Sequence, residues 1–292
     1  MSKLPETLIR ETLIYTGLER SYLLYAPPNL KPASPLVMVL HGRGIAAEIM
    51  FQISGNSFTA LADQAGFILV YPNAVDEIWN DGRLIGDKLS NADDVGFIRA
   101  LIDHLSARYP LDVQRIYVTG LSNGGHMAYR LACELSDQIA AIAPVAAPMF
   151  KHMSEACTPE NPVAALIIMG TRDPVAPYHG GEARRLWLRW LKRHGTTYLS
   201  ARETARFWAQ VNHCTGEPSV TLLPDHDPRD GTQIETTVYA SGAAPVELYT
   251  VIGGGHTWPG SPLVLPRVIF SRTSREIDAS QVIWNFFEPI RR

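Results

Sequence analysis

Apolar residues in this chain come in two kinds of pattern. Short continuous runs, such as Leu36–Leu40, Phe67–Tyr71 and Val163–Met169, are what strands covered on both faces require. Between them apolar positions recur at helical spacing, as in Val95, Ile98, Leu101, Ile102 and Leu105, with Asp93 or Asp94 available as N-cap and an end near Tyr109-Pro110. Glu11–Tyr15 and Ser21–Tyr25 read as two strands turned at Thr16-Gly17. Helix-like sequence from about Ser57 to Ala65 stops at Gly66, a natural C-cap. Further on come the strand-like Arg115–Thr119, a helix-like His126–Leu131, and the strand-like Ile139–Ala143. Ser200 and Glu203 form a capping box before the helix-like Ala205–Val211, and a last strand runs from Val246 to Ile252. Strands alternating with helices predict an α/β fold: a mostly parallel, doubly covered sheet with an N-terminal antiparallel hairpin. Chemistry in such sheets gathers at the carboxyl ends of the strands.

Composition narrows the picture. At 292 residues, 46% hydrophobic and 19% charged, the chain can bury a sizeable core, and nothing divides it, so 1–292 reads as one catalytic domain. A formal charge of −3 and the lack of a basic, aromatic-interleaved cluster exclude nucleic acid as a partner. The longest apolar stretch, Ile139 to Phe150, is broken by Pro144 and Pro148 and falls short of the ~20 residues that cross a bilayer. Met1–Glu6 has no signal-peptide pattern, so a cytoplasmic location is expected, with a trimmed secreted form as the alternative. Cys133, Cys157 and Cys214 lack metal-site spacing. Cys133 reads as a small core residue in a helix, and a Cys157–Cys214 disulfide stands beside free thiols as an alternative. Neither a metal nor an organic cofactor is called for.

Gly120-Leu121-Ser122-Asn123-Gly124-Gly125 lies between a strand-like run and a helix-like one, the context of a nucleophile elbow. A serine hydroxyl attacks poorly unless imidazole takes its proton, and the imidazole needs an orienting carboxylate. Of nine histidines, His256 follows a strand and the run Gly253-Gly254-Gly255, read as a mobile loop. His126, four residues after Ser122, reads as packing or rim on the helix flank, and His41 as shaping its loop. Asp173 follows the strand ending at Met169-Gly170, whereas Asp225, Asp227 and Asp230 read as a solvated loop. Ser122, Asp173 and His256 stand in the chain order of α/β-hydrolases. The oxyanion of acyl transfer needs fixed N–H donors: Asn123 supplies one, and His41-Gly42-Arg43-Gly44 the other, with Arg43 preferred and Gly44 the alternative. Gly42 would let backbone approach the substrate closely.

The chain resembles the polyhydroxybutyrate depolymerase and feruloyl esterase-like branch of the α/β-hydrolases. The likeness runs from about residue 8 to the end. It is carried by Leu40-His41-Gly42, Tyr71-Pro72-Asn73, Asp93-Asp94-Val95-Gly96-Phe97, the Gly120–Gly125 elbow, Gly170–Tyr178 and Gly253–Gly260. It implies carboxylic ester hydrolysis through an acyl-serine at Ser122, with Asp173 and His256 as partners. It also implies that Trp258, together with Trp79 of Trp79-Asn80-Asp81-Gly82, lines the acyl pocket, which suits a short-chain, hydroxyacyl or feruloyl-type ester, small or oligomeric. Loop anchoring is the competing role for Trp79. Rivals are a serine peptidase of the same fold and a catalytically silent binding protein. The cationic, aromatic stretch 183–196, within 179–199, reads as a lid or pocket-edge insertion, with a homodimer contact, a membrane-surface helix or a solvated helix as its other readings.

Overall fold

The computed structural model describes residues 5, 7–28, 30–83, 91–182, 197–263 and 266–292. Strands β1 (Ile9–Tyr15) and β2 (Leu18–Tyr25) form the expected hairpin, and β2 joins β4 (Ile68–Pro72) antiparallel. From there β4, β3 (Ser34–Leu40), β5 (Leu111–Leu121), β6 (Ala141–Val145), β7 (Ala164–Gly170) and β12 (Val246–Ile252) run parallel to their neighbours. Beyond β12, β11 (Gln233–Tyr239) and β10 (Ser219–Leu222) add an antiparallel pair at the far edge. The sequence does not announce that second pair: every residue of β10 is exposed, so it carries no burial alternation to read.

Why the central strands read as unbroken apolar runs is visible in where alternate side chains go. In β3, Leu36, Met38 and Leu40 enter the core on one face of the sheet, while Val37 and Val39 enter the other. The first face is closed by α3 (Asp94–Arg108), α4 (Asn123–Glu134) and α6 (Ala201–Val211), through residues such as Phe97, Met127 and Trp208. The second is closed by α1 (Ala47–Ser54), α2 (Ser57–Ala65) and α8 (Ala279–Phe287), through Met50, Phe58 and Trp284. Capping follows the sequence closely. Gly66 ends α2 in a left-handed conformation, Asp93 accepts from Gly96 N–H ahead of α3, and the Ser200–Glu203 box is complete.

Chain order sets the location of the site. After β3 the chain goes to β4 on one side, then crosses to β5 on the other and continues outward through β6 and β7. The switch point is therefore the gap between the carboxyl ends of β3 and β5, where His41 and Ser122 stand.

Three expectations change. Cys133, near the end of α4, is bonded to Cys157, which caps α5 (Lys151–Ala156); their Cα atoms are 5.2 Å apart, ordinary for a disulfide. Cys133 is thus no plain core residue, and Cys157 does not pair with Cys214, which is free and half-buried near Tyr239 and Ala244. The Asp225–Asp230 loop is not simply solvated: buried Asp230 accepts from Thr232 N–H and Oγ1 and from Arg275 N–H. The stretch 183–196 lies outside the described residues; its flanks, β8 (Gly181–Glu182) and β9 (Thr197–Tyr198), pair antiparallel. Among the described residues no helix is long and apolar enough to cross a membrane.

Candidate active site

Ser122 occupies the turn between β5 and α4 with φ 57° and ψ −114°, a conformation that non-glycine residues adopt only under constraint. Its N–H donates to Val145 O and its carbonyl accepts from His126 N–H, so the turn is held at both peptide groups. The strand and helix meet so closely that a Cβ at Gly124 would lie 2.4 Å from Leu40 O and 2.6 Å from His41 O. That contact presses the start of α4 against the end of β3 and brings Gly42 beside the serine: a Cβ there would stand 3.8 Å from Ser122 Cβ.

Two loops past β7 and β12 bring the other pair together. Asp173 Oδ1 accepts from Val175 N–H and Ala176 N–H at 2.7 and 2.8 Å, while Oδ2 accepts from His256 Nδ1–H at 2.7 Å. The carboxylate side chain is fully buried. With Nδ1 donating to Asp173, the lone pair of the neutral ring lies on Nε2, the atom a base must use. His256 N–H donates to Phe270 O, and the two rings stack at 6.4 Å. The three glycines before His256 serve close packing rather than mobility. Gly255 N–H donates to Arg272 O, Gly254 O accepts from Arg172 N–H, and a Cβ at Gly255 would fall 2.0 Å from Phe270 O. Among the described residues no hydrogen bond joins the Ser122 hydroxyl to the His256 ring; such bonds commonly tighten only when substrate binds.

The loop after β3 discriminates between the two donors considered for an oxyanion. Gly44 N–H is already committed to Glu77 O at 2.9 Å, whereas Arg43 N–H has no partner among the described residues. Asn123 N–H, the first of α4, has no intrahelical acceptor and no other partner among the described residues. His41 shapes its own loop: Nδ1–H donates to Gly42 O at 2.8 Å and Nε2 accepts from Ala74 N–H at 3.0 Å. Burial holds this ring neutral, its pKa lowered to about 4.

Neither tryptophan forms an acyl-pocket wall. Trp79 is fully buried, its indole N–H on His41 O and its ring 5.1 Å from that of His41. Trp258 is buried against Phe58, its N–H on Ser280 Oγ, which anchors the His256 loop into the core between α2 and α8. Both indoles spend their polar edge and their faces inside the protein, so none is left for a ligand.

Beside the elbow lies a buried polar group that the sequence reading passed over. Asn123 Nδ2 donates to Asp81 Oδ2 at 2.6 Å, Asp81 pairs with Arg83, and Arg83 sits 3.4 Å from His126 Nδ1. His126 is buried, stacks on Phe150 at 4.3 Å and donates through Nε2 to Pro148 O. Burial first, and then the Arg83 charge, keep it neutral, well below the usual histidine range. Asp81 was legible only as a neighbour of Trp79; nothing in its spacing marks it as a partner of Asn123.

A doubly wound sheet with an elbow serine at its switch point, and a paired aspartate and histidine beyond later strands, makes this an α/β-hydrolase. Residues 20–177 match the family described as esterase PHB depolymerase, and the chain belongs to it, among the carboxylic ester hydrolases. It is 32% identical over 286 residues to "Putative esterase NocK" of Nocardia uniformis subsp. tsuyamanensis, covering 96% of this chain and 82% of that protein. Feruloyl esterase B of Piromyces equi is 32% identical over 205 residues, but this chain covers only 36% of its length. Poly(3-hydroxyalkanoate) depolymerase C of Paucimonas lemoignei is 27% identical, with 58% of its length covered. Among solved structures, acetyl xylan esterase from Aspergillus awamori superposes with a TM-score of 0.62 at 16% identity, covering 96% of this chain and 99% of that one.

Proposed function

We propose that the protein hydrolyses carboxylic esters through an acyl-enzyme on Ser122. The observation that supports this reading best is a strained serine at the switch point together with a histidine whose Nδ1 is bound by a buried aspartate. In this reading His256 Nε2 takes the Ser122 proton as Oγ attacks the ester carbon, and Asp173 orients the ring and stabilises the imidazolium. Arg43 and Asn123 N–H groups receive the oxyanion. The imidazolium then protonates the departing alcohol, and water, activated by the same ring, releases the acid and regenerates the serine. No step calls for a metal or an organic cofactor.

Likeness to a feruloyl esterase and a poly(3-hydroxyalkanoate) depolymerase supports feruloyl- or hydroxyacyl-type substrates, beside short-chain esters, and an ester panel from acetate to octanoate, with 3-hydroxybutyrate oligomers and methyl ferulate, sorts them. The Cys133–Cys157 bond favours an oxidising compartment over the cytoplasm expected from sequence. The deciding experiment is labelling with a fluorophosphonate followed by peptide mapping, alongside turnover of p-nitrophenyl butyrate by Ser122→Ala. Label on Ser122 and a loss of roughly 10⁴-fold or more in kcat are expected. An unlabelled wild type, or a variant that keeps its rate, ends the proposal. Faster turnover of a p-nitroanilide than of the matching ester would favour the peptidase alternative.

A further inference from the structure

Residues 74–81 cross from the loop after β3 to the start of α4 and bind both. On the β3 side, Ala74 N–H donates to His41 Nε2, Glu77 O accepts from Gly44 N–H, and Trp79 Nε1–H donates to His41 O at 3.1 Å. On the α4 side, Trp79 N–H donates to Asn123 Oδ1 at 2.8 Å, and Asn123 Nδ2 donates back to Trp79 O at 3.1 Å and to Asp81 Oδ2 at 2.6 Å. The strap itself is anchored from behind: Asn80 N–H donates to Asp94 Oδ2, whose other oxygen accepts from buried Arg20.

The geometry points to Trp79 as the positioning residue that sets the gap between the two oxyanion donors. One residue grips the peptide before Gly42-Arg43 with its indole and the Asn123 side chain with its backbone. Neither donor then moves without disturbing the other. Two features fit this role and have no simpler use. Asp76 and Glu77 both hold positive φ, 51° and 58°, a strained conformation that persists only where surrounding contacts enforce it. Asn123 spends its whole amide on the strap rather than on a ligand. An oxyanion hole stabilises charge only if its donors are already placed before the charge forms, so a gauge outside the substrate pocket acts on the transition state and not on ground-state binding.

This inference rests on the serine-hydrolase reading, and its test separates the two. Four proteins are compared with wild type using p-nitrophenyl butyrate and an alkyl trifluoromethyl ketone, which forms a tetrahedral oxyanion on the serine: Trp79→Phe, Asn123→Ala, the double variant of these two, and a chain with 3-benzothienylalanine at position 79. The last keeps the ring shape and replaces the N–H by sulfur, so it carries the test if Trp79→Phe does not fold. Losing the indole donor should lower kcat about tenfold, below the cost of deleting a donor outright. KM should stay within about twofold, and ketone affinity should weaken by the same factor as kcat. The double variant should lose less than the product of the single losses, because both changes act on one gap. An unchanged kcat, a loss confined to KM, or ketone binding that fails to follow kcat overturns the inference while leaving Ser122 chemistry intact. Absence of fluorophosphonate labelling in wild type overturns both.

Discussion

The two halves of the site are built by different means. At the ends of β3 and β5 a glycine pressed on carbonyls and a strained serine are tied together by a strap hydrogen-bonded to both sides. At the ends of β7 and β12 the parts are locked by hydrogen bonds between loops, with Asp173 holding three N–H groups and His256 tied to Phe270 and Asp173. In the proposed mechanism the first half fixes the atoms that receive developing charge. In the same mechanism the second holds a ring whose protonation changes, and hydrogen bonds keep its orientation through that change. Both sides combine hydrogen bonds with close glycine contacts; the first adds a strained serine, and the second a buried carboxylate.

Substitutions should therefore separate stability from rate differently in the two halves. Asp173→Asn keeps the shape but loses the ring's orienting charge. It should lower kcat about 10⁴-fold, as the equivalent change does in trypsin-like enzymes, with thermal stability nearly unchanged. A matching collapse of Tm would show that Asp173 is a structural post and erase the contrast. Gly124→Ala should fail in both respects. Its methyl group meets backbone oxygens of Leu40 and His41 that cannot turn aside, so unfolding in urea should show a loss of roughly 3 kcal/mol or more, with activity falling alongside.

The disulfide sharpens the contrast from outside, since it ties the far end of α4 and leaves the elbow alone. Cys133→Ser with Cys157→Ser should cost about 3 kcal/mol, lowering Tm by roughly 5–10 °C, while kcat at 25 °C stays near wild type. A large loss of kcat at that temperature would mean that the elbow depends on the bond.

The last effect emerges only as pH falls, and concerns His41. Its pKa is lowered from 6.5 to about 4, chiefly by burial. The unfolded chain takes up a proton as pH falls below 6.5, and the folded one does so only near 4. Stability should thus decline across that window by up to ~3 kcal/mol and level off below it. In His41→Gln that slope should flatten, as read by urea unfolding at a series of pH values; an identical slope would remove His41 from the balance.

Legibility followed distance along the chain. The hairpin at Thr16-Gly17, the caps at Gly66, Asp93 and Ser200, and the strand Val246–Ile252 rest on neighbours a few residues apart, and each stands where local pattern put it. The pairing of Asp173 with His256 spans 83 residues, yet the order of strand ends implied it, because a parallel sheet delivers all its carboxyl ends to one rim. The tryptophans were misplaced. An aromatic beside a site motif looks the same in sequence whether its face meets a ligand or the core, and burial of Trp79 and Trp258 is decided by helices and loops far away in the chain. The disulfide escaped for the same reason: three cysteines allow three pairings, and only the approach of α4 to α5 selects one.

By itself, then, the sequence determined the alternation of strands and helices, the turns that stop them, and the candidates proposed for acyl chemistry, because those depend on periodicity and on local backbone preference. Tertiary structure alone decided which polar atoms are already spent. It committed Gly44 N–H to Glu77, left Arg43 N–H without a partner among the described residues, turned both indoles inward, and made Asn123 a fastening to Trp79 and Asp81. A hydrogen bond uses up a donor wherever its acceptor comes from, and these acceptors lie dozens of residues away, where no local pattern reaches.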